Sequence, residues 1–93
     1  MDKAQLVKIA KALSDNTRFS ILREIISAEE ISGGTLAERF QISHATISHH
    51  LRILLESNLV TFRRKRPFNY ARVNLKVLDD YQHSLITELG ITV

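Results

Sequence analysis

A mainly α fold carrying one small β-hairpin, in the order α-α-α-α-β-β-α, is what this sequence predicts. Three observations predict it. Apolar residues recur at helical spacing in four segments before residue 58, two β-prone runs flank a cationic, proline-containing tip, and a fifth amphipathic stripe follows the second run. Ninety-three residues make one domain, 1–93, and so short a chain buries only about 60–65% of its unfolded surface, so a second subunit would add to its stability.

The first helix, about residues 2–13, carries Leu6, Ile9, Ala10 and Leu13 after Asp2, whose carboxylate caps it with Gln5 at the reciprocal capping-box position. Ser14-Asp15-Asn16-Thr17 breaks and restarts the helix. From Asp15 to about Ala28, Phe19, Ile21, Leu22, Ile25 and Ile26 wrap more than one stripe, which predicts a central helix packed on two sides. Glu29 to Gly34 reads as a connector. Ser32 then caps a short helix ending at Phe40, with Leu36, Ala37 and Phe40 inside. Gln41-Ile42 forms a tight turn and Ser43 caps a longer helix in which Ile47, Leu51 and Leu54 face inward. Asn58 supplies a left-handed stop. The pair, about residues 32–57, is a helix-turn-helix.

Leu59 to Arg63 and Asn69 to Val73 are β-prone, so residues 59–74 form a hairpin, or wing, connected by Arg64-Lys65-Arg66-Pro67-Phe68. Pro67 holds Arg66 extended, which argues against a two-residue primed turn. Asn74 caps a last helix, about 75–89, with Val77, Leu78, Tyr81, Leu85 and Leu89 along one side and Gly90 at its end.

Charge is concentrated in this middle third. Residues 41–74 hold six Lys/Arg against one acid, whereas 1–40 are balanced at six against six and 75–93 hold one against three. A polyanionic duplex rewards clustered cations through counterion release. With Ile47, Leu51 and Leu54 inward, the helix from His44 turns Ala45, Ser48, His49 and Arg52 outward, with His44 and Thr46 at its first turn. A major groove admits one such helix, and short hydroxyl or imidazole groups reach base edges, so Ser48 and His49 are the leading base-reading candidates. The same face also fits the solvated side of an amphipathic helix. Arg63, Arg64, Lys65 and Arg66 crowd four cations on one hairpin, where solvent or a phosphate backbone relieves their repulsion.

Leu13-Ser14-Asp15-Asn16-Thr17-Arg18 and Ile42-Ser43-His44-Ala45-Thr46-Ile47-Ser48-His49-His50-Leu51 together resemble the ArsR-type (ArsR/SmtB) winged-helix repressors over nearly the whole chain. The wing returning through Tyr70-Ala71-Arg72-Val73-Asn74 looks most like the small SdpR-type autorepressors of that family. The resemblance implies a homodimer built from the first and last helices, here through Leu6, Ile9, Leu13, Leu78, Tyr81, Leu85 and Leu89, that binds an inverted repeat in promoter DNA. Two-fold symmetry would set the reading helices about 34 Å apart. The family's DNA contacts carry over to His44, Ser48 and His49, while Ala45 replaces a usual polar residue and could meet a thymine methyl instead. Gln41 and Arg66 stand where relatives often have Gly. Arg18 reads as structural, bridging a neighbouring helix.

Family members that sense metal use Cys near the third helix or Asp/His pairs on the last. Ser32 and Gly34 occupy the Cys positions, so that site is absent, and Asp79 with His83 offers two ligands where a tight site needs four. His49 and His50 diverge by about 100° on their helix and His44 lies about 140° from His49, so they cannot share one ion. No metal and no cofactor is expected. Without Cys, a nucleophile motif or a phosphate-cradling Gly loop, the sequence does not read as an enzyme. The longest aliphatic run is Ile53-Leu54-Leu55, so no membrane partner is expected and the cytoplasm is the default compartment. The expected partners are double-stranded DNA and a second copy, with an unidentified protein or small-molecule inducer left open. The competing reading is a winged-helix module for protein or RNA that touches DNA non-specifically.

Overall fold

A computed structural model describes residues 1–91, arranged as five helices and a three-stranded antiparallel sheet. The helices are α1 (Lys3–Leu13), α2 (Asn16–Ala28), α3 (Gly33–Phe40), α4 (His44–Glu56) and α5 (Leu75–Glu88); the strands are β1 (Ile31–Ser32), β2 (Val60–Lys65) and β3 (Phe68–Val73). Each helix starts on a short polar side chain that accepts a backbone N–H three residues on: Asp2 from Gln5, Asp15 from Arg18, Ser32 from Thr35, Ser43 from Thr46 and Asn74 from Val77. Three helices end through a non-glycine residue at positive φ: Glu29 after α2, Gln41 after α3 and Asn58 after α4. Gln41 (φ 54°, ψ 42°) therefore makes a left-handed inter-helix turn without a glycine.

Ile9, Ile21, Ile25, Leu36, Ile47 and Leu54 form the centre of the core, closed beneath by Leu59, Val60 and Ala71 from the sheet. Strand β3 is central, pairing with β2 along the hairpin and with β1 through Ile31↔Ala71 and Ser32↔Tyr70. The connector expected at Glu29–Gly34 thus contains a strand. Hairpin pairing also runs further than the sequence suggests: Arg64↔Asn69 and Lys65↔Phe68 extend the ladder until only Arg66-Pro67, joined by a cis peptide, connects the strands. Neither residue takes a positive φ, so this two-residue connection is not a primed turn.

Three expectations about packing need correction. Phe19 and Ile26 are exposed, so α2 is covered on one side only, by the core that takes Ile21, Leu22 and Ile25. Gln5 does not complete a reciprocal capping box; its Nε2 donates instead to the carbonyl of Ser57 at 3.0 Å, tying the start of α1 to the end of α4. Leu6 and Ile9, expected at a subunit junction, lie buried inside the chain's own core, because the face that carries them is the one α1 turns to its own domain. Leu13 also packs against this core. On α5, Leu78 and Tyr81 are partly buried against the core, and Leu85 is half-buried. Leu75 and Leu89 are 64% and 68% exposed, and α5 has no fully buried residue.

Candidate functional site

The outward face of α4 forms because Ile47, Leu51 and Leu54 bury the opposite side. His44, Ala45, Thr46, Ser48, His49 and Arg52 are all exposed on it. Ser43 organises the first turn: its hydroxyl accepts from the Thr46 amide at 3.1 Å and donates to the Thr46 hydroxyl at 2.8 Å. Thr46 is therefore partly engaged in the cap, while among the described residues Ser48, His49 and Arg52 have no protein hydrogen-bond partner to displace.

Behind this face stands a bracket centred on Arg18. Its Nε donates to the Ala12 carbonyl at 2.6 Å, Nη2 to the Lys11 carbonyl at 3.3 Å, and Nη1 to His50 Nδ1 at 3.3 Å. One guanidinium thus joins α1, α2 and α4, the bridging role the sequence suggests. His50 accepts this bond only while Nδ1 is unprotonated. Partial burial lowers its pKa; the Asp15 carboxylate opposes that shift, and Arg18 and His49 add to it. Asp15 is itself held below the usual carboxylate range, chiefly by the Arg18 amide it caps.

On the wing the four expected cations do not form one uniform patch. Strand alternation sends Arg63 and Lys65 to one face of the hairpin and Arg64 to the other. Arg63 is engaged already, donating to Glu30 through Nε at 2.9 Å and Nη2 at 2.5 Å, with its guanidinium carbon 5.8 Å from the centre of the Tyr70 ring. Arg63 hydrogen bonding holds the Glu30 carboxyl below its ordinary range, and Glu30 in turn raises the Arg63 pKa. Arg64, Lys65 and Arg66 have no acidic partner among the described residues. Glu30 braces the base of the wing from the α2–β1 connector, 33 positions away in sequence, and no local pattern announces it.

Between α4 and the wing lies a groove of about 320 Å³, lined by Ser48, Leu51, Arg52, Leu55, Phe62 and Asn69 and backed by Gly33. It brings the predicted residues Ser48 and Arg52 together with Leu55, Phe62 and Asn69, which the sequence reading assigned no role. Arg64 pairs across the hairpin with Asn69 and so projects on the groove side. The Asp79/His83 pair forms a local helix contact: His83 Nδ1 lies 3.0 Å from the Asp79 carbonyl and 3.6 Å from its carboxylate, which also accepts from Gln82 at 3.2 Å. No group of three potential metal ligands gathers among the described residues, and no helix there is long and apolar enough to cross a membrane.

Comparison with known proteins follows the same outline. A helix-turn-helix domain model matches residues 13–62. The chain is 36% identical over 85 residues to the arsenical resistance operon repressor of Staphylococcus aureus, covering 91% of this chain and 81% of that protein. It is 40% identical over 72 residues to the transcriptional repressor SdpR of Bacillus subtilis, covering 77% and 79%. An ArsR-like transcriptional regulator from a Rhodococcus species superposes with a TM-score of 0.84 at 30% identity, over 94% of this chain and 80% of that one.

Proposed function

The chain belongs to the ArsR-type winged-helix transcriptional repressors, and from that membership we propose that it acts as a homodimer that grips an inverted repeat in promoter DNA and blocks transcription in the cytoplasm. One observation carries this reading: a polar, acid-free helix face, on which Ser48, His49 and Arg52 make no side-chain hydrogen bond or ion pair among the described residues, stands beside a hairpin whose Arg64, Lys65 and Arg66 lack acidic partners there. In the proposed complex α4 enters the major groove. Ser48 and His49 read base edges, with His44 and Ala45 at the entry of the helix, while the wing and Arg52 meet phosphate. Arg63 braces the wing from its Glu30 partner and is the least available of the hairpin cations.

The proposed dimer joins through α5 with the outer side of α1. Leu75 and Ile86 of α5, Leu89 at its C-terminal cap and Val7 of α1 are large apolar side chains left in water. This replaces Leu6 and Ile9 in the expected junction and keeps Leu85 and Leu89.

Anisotropy titrations with duplex from upstream of the protein's own gene and with random duplex test the reading. Ser48→Ala or His49→Ala should cost about 1–3 kcal/mol on the specific duplex and much less on the random one. Arg52, Arg64, Lys65 and Arg66 give four unpartnered cations per protomer, so log K should fall against log salt with a slope near −7 for the dimer. Equal losses on both duplexes for Ser48→Ala and His49→Ala would remove them from base reading. Salt-independent binding would favour a protein partner instead.

A further inference from the structure

We propose that the groove between α4 and the wing is an effector site for a small amphipathic organic anion, an aromatic or aliphatic carboxylate or sulfonate, whose binding excludes DNA. Only this last consequence rests on the DNA-binding reading; the site itself rests on its walls.

Those walls are two-sided. Phe62 and Leu55, 41% and 40% exposed, face the groove from the wing and from α4, and Leu51 forms part of the floor. Standing on opposite walls of one groove, these side chains together offer an apolar body a place to leave solvent. At the rim stand Ser48, Arg52 and Asn69, a hydroxyl, a guanidinium and an amide. Arg52 makes no ion pair among the described residues, and Arg64 projects on the same side across from Asn69. A guanidinium with nothing to pair presents a planar fork to a carboxylate or sulfonate. The volume of about 320 Å³ suits a ligand of one or two rings.

The occupant should be anionic because the groove is lined by the Arg52 guanidinium and by no carboxylate, with Arg64 projecting on the same side, and amphipathic because Leu51, Leu55 and Phe62 give it an apolar wall. It should be small because the groove holds only about 320 Å³. Ser48 belongs both to the groove and to the proposed base-reading face, so an occupied groove and a docked duplex compete for one side chain and for Arg52.

The test uses 8-anilinonaphthalene-1-sulfonate as probe on the full chain, with amide chemical shifts followed by NMR. Shifts should cluster on Leu55, Phe62 and Asn69 and saturate. Phe62→Ser and Arg52→Gln should each weaken the probe about tenfold, about 1.4 kcal/mol. Phe19→Ser, on the exposed side of α2, should leave it unchanged. The Arg52→Gln change lies at an exposed position, so it reports on the groove even where Phe62→Ser loosens the sheet. Adding duplex should expel the probe. Shifts centred on Phe19, Ile26 or Leu89, or an affinity indifferent to both groove variants, would overturn the site. Probe and duplex bound together would overturn the competition. Duplex binding is scored separately without probe, so failure of the DNA reading and failure of the groove are distinct results.

Discussion

Helices α4 and α5 have nearly the same length and the same kind of polar cap, yet they finish in opposite situations. The first buries Ile47, Leu51 and Leu54 and turns a mostly polar face to water, with Leu55 the exception; the second buries no residue fully and leaves Leu75 and Ile86 outside, with Leu89 exposed at its C-terminal cap. The same 3.6-residue pattern describes both, so periodicity alone does not distinguish a finished surface from an unfinished one. What distinguishes them is the chemistry opposite the core. A hydroxyl and imidazole face is stable in water and can trade that water for a base edge, whereas an aliphatic face gains about 25 cal/mol for every Å² that a second surface covers.

The contrast breaks most visibly in the interior. Leu54→Ala removes a fully buried side chain from α4 and should cost about 2–5 kcal/mol in urea denaturation. Leu89→Ala, at 68% exposure, should stay within about 0.5 kcal/mol for the isolated protomer. Equal losses would mean that α5 is as much a core element as α4.

Next in size is the effect on association. Replacing Leu85 and Leu89 together by Ser should raise the dimer dissociation constant at least tenfold, about 1.4 kcal/mol, in sedimentation equilibrium, with the helical circular dichroism unchanged. A dimer unmoved by that pair would place the junction elsewhere, with Phe19 and Ile26 of α2 the next exposed apolar residues to test.

A smaller difference separates two neighbours on the wing. Losing Arg64 from both protomers should make the salt slope less negative by about 2, since each lost phosphate contact contributes about 0.9. Arg63→Ala should change the slope less, because Glu30 already engages that guanidinium. Equal changes would show that Arg63 leaves Glu30 for DNA.

The smallest effect is on pH. Burial lowers the pKa of His50 in the folded state, so the folded chain binds fewer protons than the unfolded one below the ordinary histidine value near 6.5. Stability from this group is therefore complete above about pH 6.5 and is lost as pH falls through the folded pKa. Thermal midpoints should decline more steeply between pH 7 and 5 in the wild type than in His50→Gln, which keeps an acceptor for Arg18. The depressed carboxyls of Asp15 and Glu30 act in a separate window, below about pH 4.

Much of the fold was legible in the sequence because its punctuation is local. Asp2, Asp15, Ser32, Ser43 and Asn74 act within three residues, and Asn58 ends α4 by its own backbone preference. The inward set of α4 followed from spacing, and with it the exposure of the six residues opposite. What stayed hidden depends on distant partners. The β1 strand exists because Ile31 and Ser32 find Ala71 and Tyr70; Gln5 reaches the carbonyl of Ser57, and Arg63 reaches Glu30. An apolar stripe says that some surface will cover it, not which one, and for that reason Leu6 and Ile9 were assigned to a partner while their own core already held them. The same ambiguity made Phe19 and Ile26 look interior.

The two ties on α1 have a consequence for the DNA itself. Gln5 fastens its first turn to the carboxyl end of α4, and Arg18 clamps its last turn to the middle of α4 through His50. A helix pinned at both ends behaves as a strut, so in a dimer joined through α1 and α5 the two reading helices cannot swivel independently. An operator with one base pair inserted at its centre turns one half-site by roughly 35° about the duplex axis relative to the other. With α1 tied to α4 at both ends, that rotation would have to be taken up at the subunit junction or in the DNA rather than between these two helices.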